Sequence, residues 1–202
     1  SVHNELLSSK EKQMAKSKNR RPRFNLEDKR LKEKGIKTKN DNQMKSSKDK
    51  KNSKETLRVY GMGGLGEVGK NMYCVQYQDE IIIVDSGLKF PDEYLMGIDY
   101  VIPDYTYLIE NQDKIKALVL THGHEDHVGG LQYLLRDLSF PVYGSDVTLG
   151  LAKNRIEEAG LLGKTELIVV RDGERRMIGP FDVEFIPVTH SVPHAFAIAV
   201  HT

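Results

Sequence analysis

Thr121-His122-Gly123-His124-Glu125-Asp126-His127-Val128-Gly129-Gly130 decides how this chain is to be read. Three imidazoles and the Asp126 carboxylate fall within a single His-x-His-x-Asp-His pattern. The apolar run Lys116-Ala117-Leu118-Val119-Leu120 before it reads as a buried strand. After it, Leu131-Gln132-Tyr133-Leu134-Leu135-Arg136-Asp137-Leu138 has helical periodicity. The cluster therefore falls on a strand-to-helix turn, where side chains converge without giving up ladder hydrogen bonds. His122 and His124 are two residues apart, so in extended backbone they project to one side and can grip one ion. Asp126 and His127 lie past that grip, which suits a second ion beside the first. Imidazole and carboxylate ligands without thiolate fit zinc or manganese in an open, catalytic geometry. A surface loop merely rich in histidine explains this less well, because paired glycines flank the ligands where the backbone must turn tightly. The zincin pattern His-Glu-x-x-His does not match the spacing.

Two more imidazoles lie in Pro187-Val188-Thr189-His190-Ser191-Val192-Pro193-His194. His190 follows what reads as a buried strand, as a ligand should. His194 lies beyond Pro193 in a loop lining the site, and spacing favours His190 as the ligand. Asp85 ends the strand Glu80-Ile81-Ile82-Ile83-Val84. It is expected to hydrogen-bond the histidine turn rather than to hold metal itself, with a plain turn aspartate as the alternative. His3 and His201 are weak candidates, one in a polar tail and one in an apolar run.

The stretch Gly61-Met62-Gly63-Gly64-Leu65-Gly66 is a literal Gly-x-Gly-x-x-Gly, with Asp85 at dinucleotide-fingerprint spacing. Such a fingerprint needs a helix after the third glycine. Here Met72-Tyr73-Cys74-Val75-Gln76-Tyr77 is β-rich and runs through Gln78-Asp79 into 81–84, which reads as a hairpin. Nicotinamide binding is therefore set aside. Further strands are expected over 57–60, 140–144, 166–170, 181–187 and 195–200. Helices are expected over 105–111 and 145–159, the latter capped by Ser145 or Asp146.

The net charge of +1 hides two unlike parts. Residues 1–56 carry 18 Lys and Arg against 8 Asp and Glu, and the remainder 12 against 21. The first part is Lys-, Ser- and Asn-rich with too few apolar residues to offset the entropy of ordering, so a disordered basic extension is expected there. It reads either as an arm for RNA or as a solvated tail. Residues 57–202 suffice for a real core. No apolar run is long enough to span a membrane, and Cys74, the only cysteine, allows no internal disulfide, which fits a reducing cytoplasm.

The strand–His-x-His-x-Asp-His–helix unit, with Asp85 before it and His190 after it, resembles the metallo-β-lactamase superfamily. Four stretches are similar, within it, to the ribonuclease J family of β-CASP ribonucleases. They are Gly63-Gly64-Leu65-Gly66-Glu67-Val68-Gly69-Lys70-Asn71-Met72-Tyr73, Val84-Asp85-Ser86-Gly87-Leu88-Lys89-Phe90-Pro91, Gly97-Ile98-Asp99-Tyr100-Val101-Ile102-Pro103-Asp104 and Thr189-His190-Ser191-Val192-Pro193. The resemblance implies an α+β fold, an αββα sandwich over 57–202 that is cut short at its C-terminal end. It implies a zinc-dependent ribonuclease, both 5′-to-3′ exonuclease and endonuclease, acting in rRNA maturation and mRNA decay.

By motif position, His122, His124 and His190 would hold one zinc, and Asp126 and His127 would help hold the other and take part in catalysis. Manganese is the alternative metal. A homodimer or homotetramer is implied for the full-length protein, with an RNA helicase or the ribosome as partner. The family's bridging aspartate, inserted domain and last histidines fall beyond Thr202. The 202-residue chain alone is therefore expected to be inactive and to hold at most one zinc tightly. A thioesterase-like metallohydrolase of the same superfamily and a non-catalytic RNA-binding module are the competing classes.

If residues 1–56 contact RNA, deleting them from the full-length protein lowers RNA affinity and flattens its dependence on salt, with turnover at saturating RNA unchanged. Binding titrations across salt concentrations check this, and an unchanged slope would assign the arm to protein partners.

Overall fold

Alternation along three neighbouring strands organises the fold, a computed structural model that describes residues 56–202. In β2 (Met72–Tyr77), β3 (Glu80–Val84) and β4 (Ile115–Val119), successive side chains enter two different cores. Met72, Cys74, Ile81, Ile83 and Leu118 face one way and join one cluster. Val75, Ile82, Ala117 and Val119 face the other and join a second. A sheet buried on both faces needs apolar residues at nearly every position, which is why 81–84 and 117–120 read as continuous apolar runs.

The main sheet has six strands in sequence order, β1 (Arg58–Gly63) to β4, then β5 (Val142–Gly144) and β6 (Leu167–Val169). The first three pair antiparallel, and β3 to β6 run parallel. Gln78 and Asp79 make the expected hairpin, with φ of 50° and 64° in a two-residue turn whose twist suits the strands. The glycine-rich stretch leads into β2 and opens no helix.

Four helices pack on one face: α1 (Thr106–Glu110), α2 (Glu125–Val128), α3 (Leu131–Asp137) and α4 (Asp146–Glu158). They contribute Leu108, Val128, Leu134, Leu135 and Ile156, among others, to the first cluster. Ser145 caps α4, its side chain accepting from Thr148 N. The other face meets a three-stranded antiparallel sheet of β7 (Arg175–Ile178), β8 (Phe181–Val188) and β9 (Ala195–His201). Phe181, Val183, Phe185 and Phe196 fill the space between the sheets. The described residues thus build an α, a β and a second β layer of the expected sandwich.

Two local expectations change. Strand β7 was not foreseen, because only Ile178 of Arg175-Arg176-Met177-Ile178 is buried, so the segment carries no apolar alternation. The end of β8 is exposed from Ile186 onward rather than buried, so His190 leaves an open strand end. β9 pairs along its whole length with β8, from Val188↔Ala195 to Asp182↔His201, and forms the outer edge of that sheet. The basic extension lies outside the described residues, Thr56 excepted. No helix among the described residues is long and apolar enough to cross a membrane.

Cys74 sits at 0% exposure in the first core. Burial pushes its thiol up to about 12, against a smaller opposing hydrogen bond with Tyr60. A thiol disulfide reagent at pH 8 is therefore expected to leave the native protein unlabelled and to react with one thiol per chain once it is unfolded. Fast labelling of native protein would contradict this packing.

Candidate metal centre

The site forms where the parallel strands end, the edge at which α/β folds place their ligands. The segment following β3 is clamped on both sides by backbone hydrogen bonds. Ser86 N donates to His127 O (2.8 Å), Leu88 N to Glu125 O (3.1 Å) and Gly87 N to Asn71 O (2.9 Å). Gly130 N donates back to Ser86 O (2.8 Å), and Asn71 N to Asp126 O (3.0 Å). Gly87 is required here: a Cβ on it would overlap the carbonyl of Asp126. The histidine turn is thereby locked to the glycine-rich loop and to the end of β3.

His122, His124 and His190 offer ligand nitrogens that all lie within 4.8 Å of one another. His122 Nε2 is 3.1 Å from His124 Nδ1 and 3.0 Å from His190 Nε2. Tetrahedral zinc with Zn–N near 2.0–2.1 Å separates its ligand nitrogens by roughly 3.4 Å, so this trio needs only small adjustment to take one ion. The donor set also fits in charge state. Burial first, then the neighbouring His127, His190 and His124, lower the pKa of His122 to about 4, leaving a neutral imidazole with a free lone pair at pH 7.

Asp85 arranges the protons behind these rings. It is 3% exposed and adopts φ 61°. Its Oδ1 accepts from Thr121 N (2.8 Å), and its Oδ2 from Thr121 Oγ1 (2.7 Å) and His127 Nδ1 (2.7 Å). Because the Thr121 proton goes to the carboxylate, its oxygen is left to accept from His122 Nδ1 at 2.9 Å. That tautomer turns the lone pair of His122 Nε2 toward His124 and His190. Likewise His127 donates from Nδ1, which leaves Nε2 to accept from Asn71 Nδ2 at 3.2 Å.

Asp126 and His127 stand outside the trio and beside each other, with Asp126 Oδ2 3.5 Å from His127 Nε2. Asn71 Nδ2 reaches both, at 3.0 Å and 3.2 Å. Asn71 had been given no role in the sequence, although it stands in one of the quoted stretches. Ser191 was also missed: its Oγ lies 3.2 Å from His124 Nε2, leaving Nδ1 of that ring for the centre. The hydroxyl residues flanking His190 were the available signal. His194 does not join the cluster. It adopts φ 54° and its Nδ1 lies 3.8 Å from Asp172 Oδ1. His201 faces Glu184 across the strands at 3.4 Å, and His3 lies outside the described residues.

Residues 65–201 match the metallo-β-lactamase superfamily, and the chain belongs to it. Within that class it is similar to ribonuclease J 1 of Streptococcus pyogenes, at 47% identity over 144 residues, covering 71% of this chain and 26% of the relative. It is similar also to ribonuclease J2 of Bacillus subtilis, at 40% identity over 153 residues, covering 76% and 28%. The chain thus spans about a quarter of the length of these relatives. Solved structures share the fold at lower identity. One is a protein of unknown function from Enterococcus faecalis (20% identity, TM-score 0.55, 72% of this chain and 41% of that one). Another is the metallo-β-lactamase fold protein YhfI from Bacillus subtilis (21%, 0.50, 73% and 59%).

Burial acts to lower the pKa of His127, but the hydrogen bond and charge of Asp85, with the charge of Asp126, outweigh it and hold this imidazole above its ordinary value. Asp85→Asn removes the larger opposing influence. In metal-free protein the His127 titration followed by NMR should then move down, and zinc affinity should fall about 10–100-fold. An unmoved His127 titration would show that Asp85 does not control this ring.

Proposed function

We propose that residues 57–202 are the N-terminal part of a metallo-β-lactamase-fold ribonuclease that cleaves RNA by zinc-dependent phosphodiester hydrolysis, as a 5′-to-3′ exonuclease and an endonuclease. The observation that carries the metal reading is the convergence of three neutral-capable imidazole nitrogens at the strand ends. The RNA substrate is carried by the likeness to the ribonuclease J relatives.

In this reading His122, His124 and His190 hold one ion, and Asp126 and His127 contribute to a neighbouring second. Bound zinc supplies Lewis-acid stabilisation of the charge that develops on the phosphoryl oxygens. The chain's own residues prepare the site. Asp85 and Thr121 fix the tautomer of His122, and Asp85 that of His127. Asn71 Nδ2 holds Asp126 Oδ2 and His127 Nε2 side by side, and a second ion would take the place of the amide between these two atoms. A carboxylate at this position also reduces repulsion between two adjacent cations. RNA is the proposed partner, with self-association of the full-length protein, and residues 1–56 are the proposed basic arm.

The test is cleavage of 5′-monophosphorylated RNA by the full-length protein, with thioester hydrolysis as a parallel assay. His122→Ala with His124→Ala, and separately His190→Ala, should lower RNA cleavage by about two orders of magnitude or more, beyond the loss typical of an outer ligand contact. His194→Ala should retain most activity. Wild-type cleavage rates in the His122/His124 variant under chelator would end the metal reading, and thioester turnover without RNA cleavage would end the substrate reading.

A further inference from the structure

Helix α4 runs beneath the histidine turn, and one stripe of its residues meets it. A Cβ on Gly123 would lie 2.5 Å from Leu151 Cδ1 and 3.8 Å from Thr148 Cα, so the turn rests against the helix and a side chain there would displace the end of Leu151. One turn further along the same stripe, Arg155 Nη2 donates to Glu125 Oε1. Positions 148, 151 and 155 follow the three-and-four spacing of a single helix face.

Glu125 stands between His124 and Asp126 and opens α2. That helix is four residues long, and its N-cap, His124, makes no side-chain capping bond. One helical turn has little stability of its own, so side-chain anchors must hold its orientation. Asp85 anchors His127 and Asn71 anchors Asp126, both from the β3 side of the site. Arg155 is the anchor from α4. Glu125 Oε2 is buried without a hydrogen-bond partner among the described residues, so the carboxylate is held through its other oxygen.

We propose that Arg155, acting through Glu125, is a positioning residue that sets the orientation of His124 and Asp126 toward the metal centre. This rests on the reading of the three imidazoles as ligands. Two simpler roles give different outcomes. As a cation in the last turn of α4, Arg155 would favour the helix dipole and affect folding alone. As a bare charge near the site, it would repel metal cations, so its removal would tighten metal binding. Positioning gives the opposite sign. The pair is about one-third exposed (33% and 37%), so it adds little to global stability and its variants should fold.

The experiment measures the affinity of the full-length protein for zinc alone by chelator competition, with the visible spectrum of the cobalt-substituted protein as a report on ligand geometry. Arg155→Ala and Glu125→Ala should each weaken zinc binding about tenfold and alter the cobalt spectrum. The double variant should be no weaker than either single one, because the two residues act as a unit. Arg155→Lys should recover most of the affinity, and thermal unfolding of the metal-free variants should match wild type. Zinc binding by Arg155→Ala that equals or exceeds wild type would overturn the proposal, as would additive losses in the double variant. Should Arg155→Ala fail to fold, Arg155→Lys and Glu125→Ala carry the same comparison. Failure of wild type to bind zinc, or undiminished binding by His122→Ala, would instead remove the metal reading itself.

Discussion

The carboxylate of Asp85 is the interaction on which the site depends. It leaves the end of β3 in a left-handed conformation and turns inward to meet the end of β4, where it accepts from the Thr121 amide, the Thr121 hydroxyl and His127. One buried anion thereby joins two parallel strands, the histidine turn and one ring at their ends. It also dictates where the ring protons go, since an ionised carboxylate can only accept. With Thr121 and His127 committed as donors, His122 presents a lone pair to its neighbours. A buried charge of this kind is tolerated because each oxygen is hydrogen-bonded.

The close passage of three backbone segments keeps that carboxylate in place. Gly87 runs so near the Asp126 carbonyl that a methyl group has no room, and the hydrogen bonds of Ser86, Leu88 and Gly130 lace the passage together. Rigid support comes from the sheet, whose two faces feed two separate apolar cores. The second core brings the β8–β9 pair against the main sheet, and Phe196 N donating to Thr121 O (2.8 Å) ties that pair to the histidine turn. His190 reaches the cluster because this join holds the β8–β9 loop over the strand ends.

Three imidazoles in mutual contact would repel one another if protonated. The low pKa of His122 removes that conflict at neutral pH, and it also prepares the ring to donate to a cation. His127, a few ångströms away, is held by Asp85 toward the opposite protonation tendency. Neighbouring histidines thus have divergent electrostatic settings: burial and the surrounding imidazoles act on His122, and Asp85, distant in sequence, acts on His127. The proposed metal chemistry draws on this arrangement.

Local physics made much of this legible in advance. Two-residue spacing places His122 and His124 on one side of an extended chain, and unbroken apolar runs mark strands buried on both faces. The Gln78-Asp79 turn marks a hairpin, and Ser145 caps α4 as its position suggests. Each of these is set within a few residues, so sequence by itself determined them. Strand β7 escaped because its single buried residue leaves no periodic signal. Asn71 escaped because a lone amide has no pattern until its partner arrives from elsewhere, and Ser191 because its place beside His190 does not say which ring it meets. Spacing favours His190 over His194, but only the tertiary structure brings His190, 68 residues from His122, against that ring while His194 turns to Asp172. The physical reason is that convergence depends on how the two sheets pack and where their loops then meet, and neither is encoded by the spacing of residues along the chain.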